Sequence, residues 1–118
     1  MQDRELMAWL GPAADDLTPE QIERIAAEAR AIAQRYPRPD QQPERDAALA
    51  AVVQHLLGET SPEDAGRALL DARRREREAF AAALWMAVML VGDGSPKATA
   101  ARRAGIDRMS LLKALGER

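Results

Sequence analysis

Basic side chains near the end of the chain are the residues whose types and spacing most clearly imply a chemistry. Lys97, Arg102 and Arg103 precede a glycine, and Arg108 and Lys113 follow it. Guanidinium and ammonium groups bind phosphate oxygens, and they also donate hydrogen bonds to the exposed edges of bases. Binding of a nucleic acid is therefore the first chemistry that these residues predict.

Two short helical patterns on either side of Gly105 would position these side chains. Ser95 is a preferred N-cap residue, and Pro96 suits the first position of a helix. Gly105 supplies a turn, because a positive φ costs glycine little. Asp107 can cap the second helix through its side chain. The segment therefore predicts a helix-turn-helix.

Each of the two predicted helices has one apolar face. Ile106 fills the corner between the helices. The inward residues are small or aliphatic: Ala100, Ala101, Ala104, Leu111, Ala114 and Leu115. Such a face lets two helices cross closely. The residues expected to point outward from the second helix are Arg108, Met109, Leu112 and Lys113. A short helix with this outward face is one that a major groove admits.

The segment resembles the helix-turn-helix of Fis-like and Hin-recombinase-like DNA-binding proteins. The resemblance rests on the spacing of Ala101, Gly105, Ile106 and Leu111, and it covers about a fifth of the chain. The run from Gly105 to Leu111 is similar to the Gly-Ile-Ser-Arg-x-Thr-Leu corner of those proteins. The resemblance implies that residues 107–115 form the recognition helix. The alternative is a pair of packed helices with a glycine turn and no role in DNA binding.

A DNA-binding interpretation assigns roles to individual side chains. The expected base contacts lie on the second helix: Arg108, Met109, Ser110, Leu112 and Lys113. The expected phosphate contacts are Lys97, Arg102, Arg103 and Arg74. For Arg74 the alternative is a solvated helix face on which it pairs with Glu78, and for the others it is ordinary solvent exposure.

The net charge of −2 hides two halves of opposite sign. Residues 1–64 contain six basic and 13 acidic residues, a net −7, whereas residues 65–118 contain 11 basic and six acidic residues, a net +5. Such a split is typical of a nucleic-acid binder with an acidic half that dimerises or contacts a protein partner. We therefore predict an acidic N-terminal helical region, residues 1–61, and a DNA-binding unit, residues 62–118.

Periodicity predicts an all-α fold, a small bundle of about six helices with a C-terminal three-helix helix-turn-helix unit. Apolar residues recur at helical spacing in every segment, and none alternates as a strand would. Thr18, Pro19 and Gln21 form a capping-box pattern, and the proline-rich residues 36–43 predict a linker. The chain has no cysteine, and its longest apolar run, residues 79–91, is too short for a bilayer. A cytoplasmic protein without membrane contact is expected.

The long helical pattern from Pro62 to Val91 implies neighbours on several sides. Its helical rhythm predicts an inward stripe: Ala65, Leu69, Ala72, Ala79, Phe80, Ala83, Leu84, Ala87, Val88 and Val91. Its last third, residues 80–91, is apolar almost all round. The helix-turn-helix pair would cover one side, as the third wall of its unit, and the N-terminal helices or a second copy would cover the rest. Trp85, Met86 and Met89 point away from the main apolar stripe, so a homodimer is expected.

Catalysis, metal binding and a cofactor are not predicted. His55 is the only histidine, and its pairing with Glu59 supplies too few ligands for zinc. The glycines around Asp93 lack the spacing of a phosphate-binding loop. The favoured function is therefore a dimeric, sequence-specific transcriptional regulator that binds double-stranded DNA. The alternative is a helical protein-interaction module, an adaptor or an antitoxin-like protein, in which the C-terminal helix pair is structural.

Overall fold

The computed structural model describes residues 3–117, which fold into six α-helices with no β-strand among them. The helices are α1 (Asp3–Leu10), α2 (Pro19–Arg35), α3 (Gln42–Leu56), α4 (Pro62–Gly92), α5 (Lys97–Ala104) and α6 (Arg108–Ala114). Short 3-10 segments, Gly11–Asp16 and Pro39–Gln41, precede α2 and α3. The all-α prediction is confirmed. None of the helices in the described part is long and apolar enough to cross a membrane.

The chain divides into two compact units, residues up to Ala65 and residues from Gly66 onward. Each unit has its own cluster of buried side chains. The division lies close to the change in the sign of the charge along the sequence.

The N-terminal unit is built around a firmly capped α2. The backbone N–H of Gln21 donates to Thr18 Oγ1 at 3.1 Å, and the N–H of Thr18 donates to Gln21 Oε1 at 2.8 Å. This reciprocal pair is the predicted capping box. Gln21 Nε2 also donates to the carbonyl of Leu56 at 3.3 Å, which joins the start of α2 to the end of α3.

Aliphatic side chains from three helices and one connection form the core of this unit. The buried members are Leu6, Leu10, Leu17, Ile25, Ala29, Leu49 and Val53. The two buried members on each of α1, α2 and α3 lie four residues apart, so each helix turns one apolar stripe inward. The helical periodicity predicted for these segments is thus confirmed, and His55 lies exposed on α3.

The connection between α2 and α3 is shorter and more ordered than the predicted linker. Helix α3 begins at Gln42, inside that linker, and Arg45 reaches back over the turn. Its guanidinium donates to the carbonyls of Tyr36 and Arg38 and to Gln42 Oε1, the last two at 2.8 and 2.9 Å. These bonds satisfy carbonyl groups that the proline-rich turn leaves without helical partners.

Helix α4 is the longest element, with 31 residues, or about 46 Å at the usual rise per residue. Ser61 Oγ accepts a hydrogen bond from the N–H of Asp64 at 3.1 Å and caps its start. Only the last turns pack into a core, where Ala87 is fully buried and Leu84, Val88 and Val91 surround it.

The predicted inward stripe of α4 is wrong for its first two thirds. Ala65, Ala72 and Ala79 are exposed, and Leu69 and Phe80 are 50% and 43% exposed. Helices α5 and α6 have eight and seven residues, so each spans only about 10–12 Å along a 46 Å neighbour. In the last third of α4, the face turned away from α5 and α6 is also open to solvent, since Trp85, Met86 and Met89 are exposed.

Candidate nucleic-acid interface

The connection from α4 to α5 differs from its prediction. Pro96, with φ −60° and ψ 145°, occupies the cap position of α5 and accepts a hydrogen bond from Ala100 N–H at 3.0 Å. Ser95 was expected to be the cap, but its N–H closes the end of α4 by donating to the Leu90 carbonyl at 2.9 Å. The first carbonyl that accepts within α5 is therefore that of Pro96, one residue later than predicted, and α5 begins without a side-chain cap.

The turn between α5 and α6 is a Schellman motif centred on Gly105. Its φ of 72° is in the left-handed region, where glycine has no side-chain penalty. Gly105 N–H donates to the Arg102 carbonyl at 3.2 Å, and Ile106 N–H donates to the Ala101 carbonyl at 3.0 Å. Both bonds satisfy carbonyls at the end of α5, so the direction of the chain into α6 is fixed.

Asp107 caps α6 through two hydrogen bonds from one residue. Ser110 donates its backbone N–H to Asp107 Oδ2 at 2.8 Å and its hydroxyl to Asp107 Oδ1 at 2.6 Å. These bonds stabilise the carboxylate, the hydroxyl bond most, and hold the pKa of Asp107 below its ordinary value. The predicted cap is confirmed, and it satisfies a backbone N–H in the first turn of α6.

Helix α6 is held against the rest of the C-terminal unit by a small apolar core. Leu111 and Ala100 are fully buried, and Ala101 is 4% exposed. Leu115, Ala104 and Ile106 pack around them together with the last turns of α4. The predicted inward faces and the third wall are therefore found, and they leave the opposite side of α6 to solvent.

The solvent side of α6 contains basic and apolar side chains. Arg108 and Lys113 are exposed, and Met109 is 65% exposed. Met109 and Lys113 are one helical turn apart, so they lie on the same face. An open depression of about 820 Å³ runs beside them, lined by Met109, Ser110, Lys113, Gly116 and Glu117.

Two residues predicted as base contacts are less available than the other three. Leu112 is half-buried rather than outward, because it lies between the solvent face of α6 and its buried side. Ser110 is also half-buried, and its hydroxyl proton is engaged by Asp107. Arg108, Met109 and Lys113 are therefore the exposed members of the predicted set, and Ser110 and Leu112 are half-buried.

The residues predicted to bind phosphates differ in their surroundings. Arg102 and Arg103 are exposed in the last turn of α5, next to the Gly105 turn. Lys97 is half-buried at the start of α5 and forms an ion pair with Glu117. That carboxylate neutralises Lys97, and the 20-residue separation in sequence carries no signal that reveals the pair.

Arg74 is engaged within α4 instead of being free. Its guanidinium lies 3.4 Å from Asp71 Oδ1 and 3.9 Å from Glu78 Oε1. This is the solvated, intrahelically paired arrangement that was the alternative for Arg74. Exposed pairs of this kind contribute little to stability, and they leave the side chain able to exchange partners.

Among the described residues, no three His, Cys, Asp or Glu side chains converge as a metal site requires. His55 lines a shallow depression between α2 and α3 with Arg24 and Glu28. The arrangement of charge around α5 and α6 is thus the site with the clearest chemistry.

Comparison with known protein families, with curated proteins and with solved structures finds no match for this chain.

Proposed function

We propose that this chain is a dimeric transcriptional regulator that binds double-stranded DNA with α6 in the major groove. The observation that carries the proposal is the α5–Gly105–α6 geometry: a capped helix packed on an apolar core, with exposed basic side chains on its free side. The segment from Lys97 to Glu117 has five basic and two acidic residues, so its field attracts a polyanion. The proposal includes a cytoplasmic location.

The size of α6 suits the proposed role. An α-helix with its side chains is about 10–12 Å across and a major groove is about 12 Å wide, so the seven residues of α6 can lie in the groove. Arg108 is the first residue of α6, and recognition helices contact base edges with their N-terminal residues. We assign Arg108 and Lys113 to hydrogen bonds with bases and Met109 to apolar contact with a thymine methyl group, with Ser110 and Leu112 as marginal contacts.

Phosphate contacts would fix the orientation of α6 on the duplex. Arg102 and Arg103 are exposed at the end of α5, and only the Gly105 turn separates them in sequence from the residues of α6 assigned to base contacts. Lys97 would contribute once a phosphate replaces Glu117. Contacts of this type bind every sequence equally, and they make the affinity fall steeply with salt.

The proposal is tested by titrating the full chain against a selected duplex and a scrambled duplex in a mobility-shift assay. Arg108→Ala should cost about 1–3 kcal/mol on the selected duplex and relax specificity at one base pair. Arg24→Ala, which removes an exposed arginine from α2, is the matched control and should leave binding unchanged. Equal affinities for Arg108→Ala and the parent chain on the selected duplex would contradict the assignment.

A second candidate function, a helical protein-interaction module, is favoured by the exposed apolar side chains of α4. Trp85, Met86 and Met89 are each more than half exposed, and such side chains are enriched in protein interfaces. The acidic N-terminal half would add a surface for a protein partner. The absence of DNA binding at low salt, together with a stable complex with another protein, would favour this candidate.

A further inference from the structure

One face of α4 is unpartnered and has a regular pattern. We define the α4 seam as the residues that recur there at spacings of four and three: Arg75, Ala79, Ala82, Met86, Met89 and Asp93. All six are exposed, and Met86 and Met89 are 62% and 58% exposed. Alternating spacings of three and four keep side chains in one line along a helix that packs against another helix.

The seam is separate from the face that supports α6. Ala87 is fully buried against α5 and α6, whereas its neighbours Met86 and Met89 project from a different side of α4. Asp93 follows the last residue of α4, and its N–H still donates to the Met89 carbonyl at 2.9 Å. The seam therefore continues in helical register through Asp93.

The order of residue types along the seam is self-complementary. It runs from a cation through two alanines and two methionines to an anion. Consider a second copy of α4 that runs antiparallel to the first, with Leu84 at the same level in both. Arg75 then lies opposite Asp93. Ala79 lies opposite Met89, and Ala82 lies opposite Met86. Each large side chain then meets a small one, and each end pairs opposite charges. In a parallel, in-register pair, by contrast, Arg75 would face Arg75 of the second copy and Asp93 would face Asp93, so like charges would meet.

We propose that the α4 seam is the interface with a second copy of this chain, packed antiparallel about a two-fold axis near Leu84. Neither Arg75 nor Asp93 has a side-chain partner among the described residues, so both charges are available. In a two-fold interface every contact occurs twice, so each Arg75–Asp93 pair and each alanine–methionine contact contributes twice to the free energy of dimerisation. The alanines let the two helices approach closely around the axis.

This inference deepens the proposed function, on which it rests for its purpose, because a two-fold protein reads a two-fold DNA site. The interface itself is tested without DNA, so the two proposals fail separately. A dimer through the seam that binds no DNA would remove only the proposed function. A monomer that binds DNA would remove the seam and the dimeric state, and it would leave DNA binding by α6 intact.

The first test measures the oligomeric state of the full chain by sedimentation equilibrium without DNA. Ala82→Glu puts a carboxylate into the seam on both copies, and it should weaken dimerisation by about tenfold or more. Ala81→Glu is the matched control: it makes the same substitution one residue earlier, at an exposed position on another face of α4, and should leave the dimer intact. A monomeric parent chain, or equal weakening by both variants, would overturn the proposal.

The second test determines the orientation, using the absence of native cysteine. Ala79→Cys and Met89→Cys chains are oxidised separately and as a mixture. Antiparallel pairing sets position 79 opposite position 89, so only the mixture should form a disulfide dimer. Equivalent positions would be about 15 Å apart along the axis, beyond the reach of a disulfide. Disulfide dimers of either variant alone, or none in the mixture, would overturn the antiparallel seam.

Discussion

The two units of the chain bury their apolar residues in different ways. The N-terminal unit fills its core with Leu, Ile and Val side chains from α1, α2 and α3, and its sequence is strongly acidic. The C-terminal unit has a core of three alanines and Leu111, a basic sequence, and large apolar side chains left outside. The first composition favours stability in isolation, and the second favours close helix crossing and contact with other molecules.

The largest difference between the two units in local stability should appear when one core residue of each is truncated. Leu111→Ala should cost about 3 kcal/mol, because it leaves a cavity in a core with no other large, fully buried side chain. Amide hydrogen exchange should accelerate in α5 and α6 and stay slow in α2. Ile25→Ala is the counterpart and should accelerate exchange in α2 and α3. Equal acceleration in both units by either variant would show one shared core.

A smaller effect is expected at the turn of the C-terminal unit. Gly105→Ala should destabilise that unit by about 1–2 kcal/mol, because its left-handed backbone penalises a side chain. The space beside Gly105 is open, so backbone strain is the only cost. Gly66→Ala in α4 also meets no neighbour, and there the same substitution should stabilise the helix by about 0.5–1 kcal/mol. Thermal unfolding of both variants measures the contrast, and the same sign for both would contradict it.

The smallest effect concerns the cap of α6 and its dependence on pH. The pKa of Asp107 is lower in the folded chain than in the unfolded chain, so the ionised carboxylate stabilises the fold above about pH 4. That stabilisation is lost as the pH falls through the folded pKa. Asp107→Asn retains a capping oxygen that does not titrate. The advantage of the parent chain over this variant in thermal unfolding should disappear in acid, and an advantage independent of pH would contradict the cap.

Local sequence chemistry was sufficient to predict most of the fold. Thr18, Gly105 and Asp107 each act within three or four residues, and their caps and turn are found as predicted. The inward faces of α2, α5 and α6 follow from periodicity, since each of these helices has a neighbour along its apolar side.

Features that depend on distant neighbours were not predictable. The Lys97–Glu117 ion pair joins residues far apart in sequence, and the half-buried state of Leu112 depends on how α6 lies on its core. Periodicity along α4 shows which residues share a face, but it does not show whether a neighbour covers that face. The exposed Leu69 and Phe80 illustrate this difference.

The measurement that tests the central claim most directly is selection of bound sites from random duplex DNA by the full chain at low and physiological salt. We expect enrichment of one short motif, repeated with two-fold symmetry about one helical turn apart, and loss of one base preference in Arg108→Ala. Recovery of unenriched random sequence at both salt concentrations would contradict the claim that α6 reads DNA.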